Sequence, residues 1–393
     1  MTSIDLSADA ARAALAPLRL DLADDEAVDR YATAIWCQLV EPGDSAAGRV
    51  VATHGPAEAL VRLVAGAAFP GLSAREAVAA QKRWMPRLAP RGVTDAVRIA
   101  AARGVSLVVR GDPAWPAQLD DLQDHAPLCL WVRGDLSVLS RLQPSIALVG
   151  ARAASGYGDL VARELAAELA GDGIPIVSGG AYGIDGAAHR AALGAGGTTV
   201  ALLAGGAERA YPAGHTQLID DIAATGLVVS EVPCGSAPTK WRFLQRNRLI
   251  AALTTATVVV EAGWRSGSLN TAGHAADLGR GLGAVPGPIT SPGSAGTHRL
   301  IRDYGASCVT GADDVRELLG VATCTAARPG EGRTDDSTRV QDALSSRVGR
   351  HAAEVARRAG MAVDEVQPLL GMLQLAGVAH AGVDGWRSTA GRG

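Results

Sequence analysis

The densest cluster of chemically capable side chains lies in GSAPTKWRFLQRNRLIAALTTATVVVEAG, residues 235–263. Between Gly235 and Arg248 stand Lys240, Arg242, Arg246 and Arg248, with no acid among them, and Trp241 and Phe243 are interleaved. Cations neutralise phosphates and aromatic faces stack on bases, so this mixture suits a single-stranded nucleic acid. Stacking on one aromatic is worth roughly 1–3 kcal/mol per base. The competing reading makes Trp241 and Phe243 core residues and the cations a solvated rim. Aromatics are only 4% of the chain, and their concentration beside the basic run favours binding.

Three other segments have anion-binding character. In SIALVGARAASGYG (145–158) a buried strand enters a glycine-bearing turn and then a helix. Open backbone N–H groups and the helix dipole favour an anion there. Gly150, Arg152 and Tyr157 are its candidate residues; Arg152 is either a phosphate clamp or an exposed loop charge. The segment is not GxGxxG, and no acid ends a second strand at the required distance, so no dinucleotide cofactor is expected. In SGGAYGIDGAAHRAAL (178–193), Ser178, Gly179, Gly180, Tyr182 and Gly183 form a second loop. Asp185 and His189 share a helical face. With no nucleophile beside them, a role in orienting the helix is favoured over acid/base catalysis. In EAGWRSGSLNTAGHAADLGR, Glu261 ends a strand and Ser266, Gly267 and Ser268 precede a helix; Gly296-Thr297 opens another helix further on. Ligands of open α/β sheets bind outside the C-terminal strand ends, so one composite crevice is expected.

The elements that must hold these loops follow from periodicity. Apolar runs at Val105–Val109, Cys129–Val132, Ile146–Val149, Ile174–Val177, Thr198–Leu203, Leu227–Ser230, Thr257–Glu261 and Leu282–Val285 read as strands. Helical patterns fit Asp159–Ala170, Gly183–Leu193, Arg246–Leu253 and Ser268–Leu278. Their alternation predicts βαβ units: an α/β fold with a Rossmann-like, mostly parallel sheet over 104–320. Residues 1–103 read as a helical domain of SAM or helix-hairpin-helix type. There, VVATHGPAEALVRLV sets a Gly-Pro turn between two helices, which either faces a phosphate or is an ordinary packed turn. Residues 321–339 read as a linker. Residues 340–393 read as helix, turn, helix and hairpin, which fits a small winged helix or a generic helical cap.

Composition bounds the answer. The chain has 393 residues, 48% of them hydrophobic, and a net charge of −3. A disordered or collagenous chain is excluded. Of the 37 cationic residues 35 are Arg, which codon composition explains. Five widely spaced cysteines without CxxC argue against a disulfide framework or a thiolate zinc site. The N-terminal segment lacks the charge and apolar pattern of a signal peptide, and no apolar run approaches a bilayer span. A cytoplasmic protein without membrane insertion is expected.

Taken in order, VGARAASGYG, SGGAYGIDGAAH, AERAYPAGH, SEVP, RFLQRNRLIAAL, VVVEAGWRSGSLNTAGHAADLGR, AVPGP and AGTHRLIRDYGA resemble the DNA-processing protein A (DprA, also called Smf) family. The resemblance covers roughly 110–312. It implies an extended Rossmann-like domain that binds single-stranded DNA without hydrolysis, dimerises, and delivers the strand to RecA recombinase, chiefly in natural transformation. It places Arg152 at the family's VGxR turn, Ser178, Gly179, Gly180, Gly183 and Asp185 in its SGxAxGID loop, and Arg246, Asn247 and Arg248 at its RNR. Two positions depart. Tyr182 replaces a frequent basic residue, losing a phosphate contact but offering a stacking face. His298 stands where GTN has Asn, so its charge would follow pH.

Two other readings compete. One is a nucleotide-binding enzyme of phosphoribohydrolase type, with Glu231 or Glu261 as acid or base. Those enzymes show a compact PGGxGTxxE, whereas Pro286-Gly287 and Gly296-Thr297 are far apart here. The other gives DNA or partner binding to the C-terminal domain alone. Its Arg347, Arg350, Arg357, Arg358 and Arg387 are offset by Glu354, Asp364, Glu365 and Asp384. No Walker A motif is present to bind ATP.

Overall fold

The structure, a computed structural model, describes residues 4–321 and 336–389. It divides into two compact units, 1–323 and 324–393. The first begins with helices α1 (Ala8–Leu15), α2 (Asp24–Leu39), α3 (Ser45–His54), α4 (Pro56–Ala65), α5 (Ala74–Trp84) and α6 (Pro90–Ala102). Strands β1 (Val105–Val109), β2 (Cys129–Gly134), β3 (Ile146–Gly150), β4 (Ile176–Ser178), β5 (Thr199–Leu203), β6 (Leu227–Ser230), β7 (Ala256–Glu261), β8 (Gly281–Ala284) and β9 (Ser307–Cys308) form one sheet. Its order is β1-β2-β6-β5-β4-β3-β7-β8-β9. From β6 to β9 every pairing is parallel; β1 and β2 add an antiparallel edge.

The buried runs IALV and ATVVVE occupy the middle, as strands covered on both faces must. Helices α7 (Gly156–Gly171), α8 (Ile184–Gly194) and α13 (Ala312–Leu319) bury Ala162, Leu169, Ala188 and Val315 with Ile146, Leu148 and Val258. The remaining helices of this unit are α9 (Thr216–Thr225), α10 (Lys240–Leu253), α11 (Ser268–Asp277) and α12 (Ala295–Asp303). From these, Leu249, Ile250, Ala272 and Leu300 pack with Ala147, Val149 and Val259 in a second core.

The N-terminal helices do not have a core to themselves. Trp36, Leu60 and Val97 share one cluster with Leu107 and Trp131 of the antiparallel edge and Ile219 of α9. The Cys37 and Cys129 sulfurs lie 2.9 Å apart within it. The Gly-Pro turn forms as expected: Gly55, at φ 75°, separates α3 from α4. Its Pro56 carbonyl accepts from the Trp36 indole at 3.0 Å, which pins the turn to α2.

In the second unit, α14 (Asp336–Asp342), α15 (Ala352–Ala359), α16 (Val363–Leu375) and the hairpin of β10 (Ala379–Gly382) and β11 (Gly385–Ser388) form a winged helix around Val340, Val355, Val366 and Leu370. Most of the expected linker, 322–335, lies outside the described residues. Its last residues, 336–339, are the start of α14 rather than linker.

Candidate nucleic-acid interface

The sheet order reverses between β3 and β7. Strands β3 to β6 advance to one side, and the chain then returns to place β7 on the other. Such a switch point leaves a crevice beyond the C-terminal strand ends. Here it is about 480 Å³. Gly150 and Arg152 line it from the β3–α7 turn, Ala181 and Asp185 from the β4–α8 loop, and Tyr211 from the loop after β5. Thr239, Lys240, Phe243, Arg246 and Asn247 come from α10 and its cap, and Ser266, Gly267 and Ser268 from the turn before α11. All four anticipated segments therefore reach one place, the last of them through Ser266–Ser268 only.

The crevice is built on close backbone approaches. The β3–β7 register shifts at Val149/Gly150, and Ala151 N donates to Glu261 O at 2.7 Å. Gly183 adopts φ 74°, and a Cβ there would lie 2.2 Å from the Ala151 carbonyl oxygen, so only glycine lets the second loop cross the first. Ser155 caps α7, accepting from Gly158 N at 3.1 Å. Thr239 caps α10, accepting from Arg242 N at 3.2 Å. This cap starts α10 at Lys240, earlier than the expected Arg246, and puts the aromatic-basic run on a helical turn.

The cations fall into two sets. Arg152 and Lys240 are exposed, and neither makes an ion pair or hydrogen bond among the described residues. The Arg152 guanidinium lies 4.7 Å from the Phe243 ring centroid, a cation–π placement that holds it over the crevice. Arg242, Arg246 and Arg248 are committed elsewhere. Arg242 forms a two-pronged pair with Glu41 at 2.8 and 3.0 Å and donates to Ala237 O. Burial raises the Glu41 pKa, but Arg242 and Arg87 pull it below its ordinary value. Arg246 is buried beneath the crevice, donating to Gly179 O at 2.7 Å and to Leu202 O. Burial lowers its pKa to about 10 despite nearby Asp185, so it stays charged at neutral pH. Arg248 does not line the crevice. It grips Glu231 at 2.7 and 2.5 Å and donates to His125 O and Gln245 O. Arg242 and Arg248, expected among the DNA-binding residues, are thus engaged by protein acceptors rather than left unpaired as Arg152 and Lys240 are.

The loops divide similarly. Ser178 is buried and donates to Leu148 O at 2.6 Å, so it ties β4 to β3. Asp185 accepts from Gly179 N and Ala181 N, shaping the loop; burial pushes its pKa up against the pull of Arg246. His189 does not meet Asp185. Its Nδ1 lies 2.7 Å from Thr199 Oγ1, and burial lowers its pKa to about 3, leaving it neutral. The Gly180 carbonyl faces His215 Nδ1 at 3.0 Å, and the exposed Tyr182 ring packs edge-on against His215. Glu261 is buried and accepts from Ser155 N at 2.9 Å, bracing the start of α7. Tyr157 donates to Pro286 O at 2.7 Å. Gly296 and Thr297 are buried against the end of β7 and do not line the crevice. Gly296 N donates to Ala262 O and Thr297 Oγ1 to Ser294 O, so this later part of the fourth segment supports the site from behind, while Ser266–Ser268 line it. His298 Nε2 lies 2.9 Å from Gly287 O.

Asn247 donates to Gly267 O and Asn270 Oδ1, fixing the turn before α11. The Ser266 and Ser268 hydroxyls lie 2.7 Å apart at that helix's N-terminus. Trp241 is 55% exposed beside the crevice rather than in it. Sequence reasoning passed over Tyr211, whose exposed ring sits 5.5 Å from Phe243. The signal was present in AERAYPAGH, an aromatic among polar and small residues in an aromatic-poor chain.

Residues 106–320 match the family model described as DNA recombination-mediator protein A, and residues 325–385 match the DprA winged helix domain. The chain belongs to the DNA recombination-mediator protein A family. It is 40% identical over 372 residues to a DNA processing protein DprA of Mycobacterium tuberculosis (strain CDC 1551 / Oshkosh), covering 91% of this chain and 93% of that one. Its fold is similar to the X-ray structure of DNA processing protein A from Streptococcus pneumoniae, with a TM-score of 0.58 and 29% identity over 76% of this chain and 98% of the other. It is also similar to DNA processing protein A from Helicobacter pylori, described for its single-stranded DNA binding mode, with a TM-score of 0.50 and 31% identity over 55% and 95% of the two chains. The Rossmann-like sheet and the winged helix are thus those of the family. Arg152 of the VGxR turn faces the crevice unpaired; of the RNR triplet, Arg246 and Asn247 line it while bonded to protein, and Arg248 does not line it.

Proposed function

We infer that this chain binds single-stranded DNA without hydrolysing it, shields the strand, and hands it to a RecA recombinase during transformation and recombination. It would do so as a homodimer in the cytoplasm. The observation that carries the reading is the switch-point crevice, where two unpaired cations, Arg152 and Lys240, stand beside the Phe243–Tyr211 aromatic pair. Cations over stacking faces hold a strand without regard to sequence. The N-terminus of α11, with Ser266 and Gly267 open to the crevice, adds a positive dipole end for another phosphate. Buried Arg246 adds positive potential from below.

The single-strand binding mode ascribed to the Helicobacter pylori relative supports this substrate, and the family's description as a recombination mediator supports delivery to a recombinase. Against the phosphoribohydrolase reading, Glu231 is engaged by Arg248 and Glu261 accepts from the Ser155 amide. Fluorescence anisotropy with labelled single strand and duplex tests the first step. Salt-sensitive preference for single strand is expected, followed by faster RecA assembly on strands coated with single-strand-binding protein. Release of free base from nucleotides, abolished in Glu261→Gln, would overturn the reading.

A further inference from the structure

After β7 the chain reverses in a tight turn. Ser266 N donates to Gly263 O at 3.0 Å, so Trp264 and Arg265 occupy the two central positions. Ser266, Gly267 and Ser268, which follow at once, line the crevice. Chain reach alone keeps the Trp264 Cα within about 7 Å of that of Ser266.

Trp264 is no core residue. Its side chain is 56% exposed in a chain with 7 tryptophans, of which Trp36, Trp84 and Trp131 are wholly buried. Nor does the ring hang free. The Arg299 guanidinium, from α12, sits 5.1 Å from its centroid. Arg299 is itself steadied by a hydrogen bond to Tyr304 Oη at 2.9 Å and by Asp303 at 4.0 Å. A propped aromatic loses little rotamer freedom when a second flat group settles on it. Beside it, Arg265 is exposed and makes no ion pair or hydrogen bond among the described residues. An open aromatic face next to an unpaired cation repeats the chemistry of Phe243 with Arg152.

The two pairs are spaced for one ligand. The loops after β5 and β7, which carry Tyr211 and Trp264, leave the sheet three strand positions apart. At ~4.8 Å per strand that is about 14 Å. We propose that Trp264 and Arg265 form a second landing for the same DNA strand: a base stacks on Trp264 and the adjoining phosphate pairs with Arg265. The footprint then runs from the Phe243–Tyr211 wall past Ser266–Ser268 onto the β7–α11 turn. This rests on the single-strand reading above.

The test uses the full chain with thymidine oligonucleotides of increasing length, one series carrying 5-iodouracil for photocrosslinking. Trp264→Ala is expected to match wild type on the shortest strands, which fill only the crevice, and to bind longer strands roughly tenfold more weakly. Trp264→Phe retains most of that affinity, Arg265→Ala lowers the salt dependence on long strands only, and crosslinked peptides include Trp264. Wild-type binding that Trp264→Ala leaves unchanged at every length would overturn the second landing while leaving the crevice intact. So would a loss accompanied by a changed sedimentation mass, which would make the ring part of a contact between copies. A wild-type chain that binds no single strand overturns the single-strand reading and this extension together.

Discussion

The two halves of α10 carry the same residue types and do opposite jobs. Its first turn presents Lys240 unpaired and Phe243 beneath Arg152. One turn further on, Arg246 and Arg248 are buried, with their donors given to Gly179 O, Leu202 O, Glu231 and His125 O. Four cations in a row therefore do not make four phosphate contacts. A guanidinium with several donors is also a good bolt between carbonyls and carboxylates. Which role it takes depends on whether the helix face bearing it meets the sheet or the solvent.

The largest effect expected from this contrast is on stability. Arg248→Ala leaves Glu231 with its charge buried and unpaired, at a cost of about 3–5 kcal/mol. Urea unfolding measures this, and the salt dependence of DNA binding by the folded fraction stays at the wild-type value. If instead stability holds and the salt dependence drops, the two halves of α10 have been assigned the wrong way round.

The next tests the buried polar layer around Arg246. His189 has a folded pKa of about 3 against an ordinary 6.5, so the unfolded chain binds the extra proton first. Stability from this group is complete above about pH 6.5 and is lost as pH falls. Between pH 6.5 and 5 the loss comes to about 2 kcal/mol, at ~1.4 kcal/mol per pH unit. His189→Gln should flatten that limb of the stability curve; an unchanged limb would show that His189 is accessible to protons.

On the open half, Phe243→Ala should weaken single-strand binding by about 1–3 kcal/mol, through the lost stacking face and the loss of the support under Arg152. Unfolding measurements should move far less than binding. The smallest effect sharpens the boundary between the halves. Arg242 pairs with Glu41, which also holds Arg87 at 2.5 Å. Arg242→Gln should therefore cost under about 1 kcal/mol of stability and leave the salt dependence of binding unchanged. A clear drop in that dependence would extend the DNA surface toward the N-terminal helices.

The same contrast explains what could be read from the sequence. Strand β6 falls at Leu227–Ser230 as expected, because a buried parallel strand is an uninterrupted apolar run. β9 went unread, since Ser307–Cys308 is too short and too exposed to leave a pattern. The meeting of the Arg152 turn, the Gly183 loop and the Ser266 turn followed from their shared place at the C-terminal ends of strands in an open α/β sheet. The behaviour of Arg248 did not, because its partner Glu231 lies on another loop and nothing local marks the pair. The displacement of Gly296 and Thr297 behind the site has the same origin: their partners, Ala262 O and Ser294 O, are set by tertiary packing. Nor did periodicity show that α2 and α6 share a core with β1 and β2.

The central claim is that Arg152 and Lys240, not the buried arginines of α10, supply the charge that meets the strand. The most direct test is the logarithmic salt dependence of single-strand affinity for wild type and for Arg152→Ala/Lys240→Ala. Each lost phosphate contact should lower the slope by roughly 0.7, so the double variant should fall by about 1.4 with its unfolding curve unchanged. A double variant with wild-type slope and affinity would contradict the account.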